Sequence, residues 1–135
     1  MKKYLIDTHI LLWLVAEPYK LSSKTKEILI NINNTILVSF VSFWEIAIKT
    51  SIGKLEFHTT IDELKLKTFE KNIEIIFPTV QATSKIQIMP FYKEQNIEHR
   101  DPFDRMLIAQ AITENIPIVS VDTKFDLYPE IQRIW

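Results

Sequence analysis

The sequence predicts an α/β fold: an α/β/α sandwich around a mostly parallel sheet of four or five strands. Two observations support it. Short apolar runs alternate along the chain with longer segments of helical periodicity, which is the order that builds parallel sheets. The predicted strands are also apolar without interruption, as strands are when helices cover both faces of a sheet. The 135 residues contain no linker or repeat, so 1–135 is expected to form a single domain.

In the first half of the chain, helix caps and changes in periodicity bound the predicted elements. In order these are a strand at 4–6, a helix at 8–16, a helix at 21–32, a strand at 36–39 and a helix at 42–52. Ser22 or Ser23 is expected to cap the second helix. Gly53, the only glycine, follows the third helix at the C′ position, where a positive φ is commonly needed.

The second half continues the alternation of helices and strands. It is predicted to contain a helix at 61–71, a strand at 73–77, a short helix at 81–88, a helix at 102–115, a strand at 118–121 and a short edge strand at 131–135. Thr60 and Glu63 form a capping box at the first of these helices. Asp101 at the N-cap and Pro102 at the first helical position start the helix at 102–115.

The composition excludes several classes of function. The chain has no Cys, which rules out disulfides, thiolate zinc sites and cysteine nucleophiles. A single Gly is too few for the phosphate-binding loops of P-loop or dinucleotide-binding proteins. Sixteen Lys and Arg against 17 Asp and Glu give a net charge of −1, so any affinity for nucleic acid must come from a local patch. Neither a secretory signal nor an apolar run of roughly 20 residues is present, and we expect a cytoplasmic protein without a membrane segment.

Acidic residues occur where the predicted strands and helices meet. Asp7 directly follows the first strand, Asp122 follows the fourth, and Glu45 lies in the first turn of the helix after the second strand. Asp101 and Asp104 lie in the first turn of a helix that runs antiparallel to the strand after it. The carboxyl ends of parallel strands share one edge of a sheet, so these acids are expected to converge there.

Converging carboxylates repel one another, and a hard divalent cation is their natural counter-charge. Without Cys or a His-x-x-x-His pair, the oxygen ligands favour Mg²⁺ or Mn²⁺ over Zn²⁺. Such an ion can activate a water for attack on phosphorus and neutralise the leaving oxygen, which suits phosphodiester hydrolysis. Each acid also has a purely structural interpretation. Asp7 and Asp101 can be helix caps, and Glu45 can be the capping-box partner of Ser42. Asp104 can be a first-turn acid and Asp122 a turn former.

Four segments, in order, resemble a known family. They are LIDTH followed by LLW from Leu5, VSFWEIAIK from Val41, HRDPFDRMLIAQA from His99 and SVDTKF from Ser120. Together they resemble PIN-domain nucleases, and more narrowly the VapC-type toxins of type II toxin–antitoxin pairs. The match covers nearly the whole chain.

The resemblance implies a Mg²⁺- or Mn²⁺-dependent endoribonuclease with catalytic and metal-binding acids at Asp7, Glu45, Asp104 and Asp122. Asp101 is either a fifth acid of the site or only a helix cap. The resemblance also implies an RNA substrate, a homodimer and a small antitoxin that covers the active site. Operator DNA would be bound only through the antitoxin, with the toxin as co-repressor.

Several other residues are candidates for supporting roles. Ser120 and His9 are possible additional members of the site, although a histidine in such a position more often packs or forms hydrogen bonds. A local basic rim that contacts RNA phosphates is predicted at Lys49, Arg100, Arg105 and Lys124. Lys49 has a second interpretation as an i,i+4 ion pair with Glu45.

Two other functional classes remain open. One is a non-catalytic, PIN-like module that only binds RNA or protein, although such modules usually lack one or more of the acids. The other is a phosphoacceptor receiver domain. That class needs an Asp at the end of the third strand, where this chain has Phe77 and Pro78.

Overall fold

The computed structural model describes residues 2–135 and contains a five-stranded parallel sheet. Its strands are β1 (Lys2–Ile6), β2 (Asn34–Ser39), β3 (Ile73–Ile76), β6 (Ile118–Val119) and β7 (Arg133–Ile134). They lie in the order β3-β2-β1-β6-β7, and each neighbouring pair is parallel. β1 therefore lies at the centre, and the predicted sheet is confirmed. Both C-terminal strands are shorter than predicted.

Within the described residues 2–135, six α-helices accompany the sheet. They are α1 (Thr8–Ala16), α2 (Ser23–Ile30), α3 (Phe40–Ser51), α4 (Ile61–Glu70), α5 (Val80–Ile88) and α6 (Pro102–Glu114). The caps predicted at Ser22, Thr60 and Asp101 each accept a backbone N–H from three residues ahead. Gly53 has φ 74°, as its C′ position requires. Within residues 2–135, no helix is both long enough and apolar enough to cross a membrane.

The two faces of the sheet pack against different helices. Tyr4 and Ile6 of β1 belong to a core that also contains residues of α1, α3 and α4. Leu5, between them, belongs to a second core with residues of α5 and α6. Because side chains alternate along a strand, the uninterrupted apolar run fills both cores. The arrangement is the predicted α/β/α sandwich.

The start of α3 differs from the prediction. The helix begins at Phe40, directly after β2, and its N-cap is Ser39, whose hydroxyl accepts the N–H of Val41 at 3.1 Å. The predicted start at Ser42 is two residues late, because strand and helix follow one another without a loop. Ser42 is therefore inside the helix and forms no capping box. Glu45 lies in the second turn rather than the first.

The sequence did not predict a two-stranded antiparallel hairpin between α5 and α6. Its strands are β4 (Lys93–Glu94) and β5 (Ile97–Glu98). Gln95 and Asn96 form the turn with φ values of 53° and 63°. Two positive φ values are typical of a type I′ turn, which usually carries Asn-Gly or Asp-Gly. This turn has no glycine, so its usual sequence pattern is missing.

Gln110 on α6 gives a first testable prediction. The residue is 2% exposed, and among residues 2–135 its amide nitrogen and oxygen have no hydrogen-bond partner. A buried unpaired amide costs free energy, so Gln110→Met is expected to raise the free energy of unfolding by about 1 kcal/mol. Urea unfolding of both proteins measures the change. A decrease in stability would contradict the prediction.

Candidate metal centre

The candidate site lies at the carboxyl edge of the sheet, between β1 and β6. From the central strand the chain first builds outward through β2 and β3, and later returns to place β6 on the other side of β1. Ligand sites in parallel sheets lie at such a reversal of strand order. Here a hydrogen bond from Ser120 to Asp7 joins segments 113 residues apart in sequence.

Asp7 is one of two buried acids of the site. It is 5% exposed, its Oδ1 accepts the N–H of Ile10 at 2.9 Å, and its Oδ2 accepts the hydroxyl of Ser120. Burial raises the pKa of the Asp7 carboxyl from 3.8 to about 6, although both hydrogen bonds and the nearby His9 oppose the rise. The negative charge of Asp104 adds to the rise. Asp7 is thus a helix cap, as its structural interpretation proposed, and also a destabilised buried acid.

Asp104 approaches the same region from the first turn of α6. Its Oδ2 lies 3.1 Å from Nε2 of the buried His99. Burial raises the pKa of Asp104, and the charges of Asp101 and Glu45 raise it further, while His99 lowers it. The carboxylate of Asp101 caps α6 by accepting the N–H of Asp104 at 3.0 Å. Asp101 therefore has the structural role foreseen for it and also contributes negative charge.

Glu45 is held at the site by hydroxyl groups of two helices. It is 5% exposed, and its Oε1 accepts the hydroxyl of Thr8 at 2.7 Å. Thr8 in turn lies 2.9 Å from the hydroxyl of Ser42. The other oxygen, Oε2, forms an ion pair with Lys49. The i,i+4 pair that the sequence suggested is therefore present.

Lys49 is the positive charge that faces these acids. Burial alone lowers the pKa of its ammonium group, but the hydrogen bond and charge of Glu45 and the charges of Asp101 and Asp104 outweigh burial and raise it. One lysine thus interacts with three carboxylates.

Asp122 lies at the margin of this group. Its Oδ1 accepts the N–H of Lys124 at 2.9 Å and so caps a 3₁₀ turn, Thr123–Leu127. Its own N–H donates to Ser120 Oγ at 2.9 Å. Ser120 thereby connects Asp122 to Asp7 through a hydroxyl group. The turn-forming role proposed as its structural interpretation is present, and its carboxylate is joined to the site only indirectly.

The structure therefore brings Asp104 within electrostatic reach of Asp7, Glu45 and Asp101, and the backbone N–H of Asp122 is linked to Asp7 through the hydroxyl of Ser120. Within residues 2–135, no three His, Asp or Glu side chains form a ready metal-binding group. The oxygens of Glu45 contact Thr8 and Lys49, and Oδ1 of Asp122 accepts the N–H of Lys124. Mg²⁺ needs only one or two protein carboxylates, since it keeps several of its waters. Asp7, which is buried, and Asp104, whose side chain is 22% exposed, both have a raised pKa and fit that requirement.

The predicted supporting residues have different positions. His9 is exposed and close enough for its charge to lower the pKa of Asp7. Arg100 is exposed and paired with Glu98, and Lys124 is exposed beside Asp122. These positions are compatible with the predicted basic rim.

Arg105 requires a correction. The sequence placed it on the basic rim, but it is 4% exposed and cannot reach a substrate from there. Its guanidinium donates to the carbonyl oxygens of Met89 and Pro90 at 2.8 and 2.9 Å and to the hydroxyl of Tyr128 at 3.1 Å. The guanidinium lies inward because these three acceptors hold it there.

Two residues at the site were not foreseen. Thr8 follows the first acid directly, and its hydroxyl could have been noted as a possible hydrogen-bond donor to a neighbouring carboxylate. Tyr128 contacts both His99 and Arg105 from a segment more than 20 residues away in sequence. No local pattern around Tyr128 indicates that contact.

An apolar groove of about 860 Å³ lies beside the acids. Exposed aromatic side chains line it, and Trp44, the residue before Glu45, is 53% exposed. The Trp44 ring meets the edge of Phe103 with ring centres 5.2 Å apart. Phe103 precedes Asp104, so two acids of the site each follow an aromatic residue of the same pair.

Comparisons with known proteins agree with this architecture. The family model of the PIN domain matches residues 4–131. No curated protein matches the chain in sequence. Among solved structures, VapBC2 from Rickettsia felis bound to a DNA fragment from their promoter is 22% identical, with a TM-score of 0.71 over 98% of this chain and 97% of that one.

Two further solved structures are similar over almost their full length. DNA-bound VapBC from Salmonella typhimurium is 16% identical, with a TM-score of 0.65 over 99% of this chain and 98% of that one. VapBC-1 from nontypeable Haemophilus influenzae is 19% identical, with a TM-score of 0.63 over 98% and 96%. At these identities the likeness shows a common fold.

Proposed function

The chain belongs to the PIN domain family, and on that premise we propose that it is a Mg²⁺- or Mn²⁺-dependent endoribonuclease. The observation that carries this proposal is the enclosed pair Asp7 and Asp104. Burial and like charge raise the pKa of both carboxyls, and a bound divalent cation would relieve that cost. A cap alone would not require two acids to lie within electrostatic reach of each other.

We assign the metal site to Asp7 and Asp104, with Glu45 and Asp122 completing it from α3 and from the end of β6. When bound, the ion would lower the pKa of a water and neutralise the leaving oxygen of a phosphodiester. Ser120 holds one oxygen of Asp7, and Thr8 holds one oxygen of Glu45. These hydroxyls keep the acids oriented before metal or RNA arrives.

The proposed RNA contacts are the cations around the acids. Lys49 faces the carboxylates directly, and Arg100 and Lys124 are exposed near Asp101 and Asp122. Cations in these positions would hold the phosphates on either side of the scissile bond, without reading sequence. His9, exposed beside Asp7, is proposed as a further substrate contact.

The proposed biological role is that of the toxin in a type II toxin–antitoxin pair. The resemblance to VapC-type toxins and the VapBC structures with the same fold support it. A small antitoxin would cover the acids, operator DNA would be bound only through that antitoxin, and the toxin would form a homodimer. In this role, residues 1–135 would act as one PIN-like domain in the cytoplasm.

One observation favours a second candidate, a PIN-like module that binds RNA or protein without catalysis. Glu45 and Asp122 already have protein partners, Lys49 and the N–H of Lys124 respectively. In this alternative the acids would serve only to fix α1, α3 and α6 against the sheet. The two candidates differ in whether RNA is cut.

Metal removal separates the two candidates. The purified protein should cleave single-stranded RNA in Mg²⁺ or Mn²⁺, lose cleavage in excess EDTA and regain it when metal is restored. Glu114→Gln serves as a matched control because Glu114 is exposed at the last residue of α6, at the opposite end from Asp104, and this variant should cleave normally. Cleavage that persists in EDTA would overturn the proposed metal dependence, and no cleavage under any metal condition would favour the binding module.

A further inference from the structure

A buried chain of hydrogen bonds leads from Arg105 to the carboxylate of Asp104. Arg105 Nη1 lies 3.1 Å from the hydroxyl of Tyr128. That hydroxyl lies 2.8 Å from Nδ1 of His99, and Nε2 of His99 lies 3.1 Å from Asp104 Oδ2. The chain thus ends on an oxygen of a proposed metal ligand.

The donors and acceptors in this chain have one consistent direction. A guanidinium can only donate, so the Tyr128 oxygen accepts from Arg105, and its O–H is then available to donate to Nδ1 of His99. The proton of the neutral imidazole is then on Nε2, which donates to Asp104. A partner on one ring nitrogen fixes what the other nitrogen does, and here the fixed tautomer is the one that binds a carboxylate.

Burial keeps the chain in a single arrangement. Arg105, Tyr128 and His99 are 4%, 2% and 7% exposed. The guanidinium is anchored by two backbone carbonyl oxygens, so it cannot turn away from Tyr128 without leaving donors unpaired. The Tyr128 ring also packs edge-on against His99 and against Tyr92, with ring centres 5.6 and 4.9 Å apart.

We propose that Arg105, Tyr128 and His99 are positioning residues that fix the Asp104 carboxylate for the divalent cation, an inference that rests on the proposed metal-dependent function. The chain holds Oδ2 of Asp104 and so would fix the orientation of the carboxylate that would bind the ion. Groups that hydrogen-bond to a metal ligand raise affinity by fixing its orientation. Tyr128 also ends the 3₁₀ turn that Asp122 begins, so the same segment connects the acid on α6 with the acid after β6.

Mn²⁺ binding to the whole protein, measured by titration calorimetry without RNA, tests the proposal. Tyr128→Phe removes only the hydroxyl that links Arg105 to His99, and it is expected to weaken Mn²⁺ binding about 10-fold. Tyr92→Phe is the matched control, because it removes a hydroxyl from the neighbouring ring that takes no part in the chain. The control is expected to bind Mn²⁺ like the unaltered protein.

A second pair of variants protects the test against a folding defect. His99→Gln can still donate to Asp104 from its side-chain amide, whereas His99→Ala cannot, so His99→Gln is expected to keep tighter Mn²⁺ binding than His99→Ala. Equal Mn²⁺ affinity in all folded variants and the unaltered protein overturns the positioning role and leaves the proposed nuclease standing. Absence of Mn²⁺ binding in the unaltered protein overturns both.

Discussion

Asp7→Asn is expected to abolish RNA cleavage while the protein stays folded. The substitution removes the charge of a buried acid at the site but keeps its shape. Loss of one carboxylate of the proposed metal site is expected to lower the rate by about 10³-fold, or about 4 kcal/mol of transition-state stabilisation. Initial rates on a fluorescent single-stranded RNA in Mn²⁺ would measure it.

The local structure explains why the fold should tolerate this change. The side-chain oxygen of Asn can still accept the N–H of Ile10, as Asp7 Oδ1 does at 2.9 Å, and Asn is as good an N-cap as Asp. The amide nitrogen can donate to Ser120 Oγ, where the Asp7 carboxylate now accepts. The Glu114→Gln control should cleave at the unaltered rate. Full cleavage by Asp7→Asn would contradict the assignment of Asp7 to the metal site.

The second large effect of Asp7→Asn is a gain in stability, in contrast to the loss of activity. In the metal-free protein at pH 7.5, Asp7→Asn is expected to raise the free energy of unfolding by about 3 kcal/mol, because a shift from 3.8 to about 6 is roughly two pKa units at about 1.4 kcal/mol each. Asn carries no charge to bury.

The pH dependence follows from the direction of the pKa shift. The folded state holds the Asp7 proton more tightly than the unfolded state, so stability falls as pH rises through the interval between the two pKa values. The destabilisation of the folded state by the ionised Asp7 carboxylate is absent below about pH 4 and complete above about pH 6. Asp104, whose pKa is also raised, adds in the same direction.

Urea unfolding in EDTA, measured at several pH values between 4 and 8, tests this result. The advantage of Asp7→Asn over the unaltered protein should grow with pH up to about pH 6 and then level off. Saturating Mn²⁺ should reverse the order, because it binds only the protein with the intact acids. An advantage that does not change with pH would show that the carboxyl is not destabilised by burial.

The sequence predicts the sheet and the convergence of the acids for a simple reason. Parallel strands end at one edge, so residues directly after strands, such as Asp7 and Ser120, meet whatever the details of packing. Helix caps at Thr60 and Asp101 depend on bonds to residues three positions ahead, which are visible locally. The apolar run of β1 is readable from the sequence because successive side chains of a strand point to opposite faces of the sheet, and each face packs against its own core.

What the sequence could not supply depends on contacts between distant segments. Tyr128 meets His99 only after the 3₁₀ turn and the hairpin are in place, and Arg105 turns inward because carbonyl oxygens of the loop after α5 lie there. The start of α3 was misplaced because no turn residues separate it from β2. The sequence offers Glu45 two partners, Lys49 and a divalent cation, and it does not show which of them the side chain contacts.

The central claim is that Asp7 and Asp104 jointly bind a divalent cation at the end of β1. Anomalous diffraction from crystals grown in Mn²⁺ tests it most directly, because the signal locates the ion without assumptions about the ligands. We expect one strong peak in direct contact with carboxylate oxygens of Asp7 and Asp104, with Lys49 displaced from Glu45. The absence of a peak at this edge of the sheet, with the Glu45–Lys49 pair intact, would contradict the assignment of the metal site to Asp7 and Asp104.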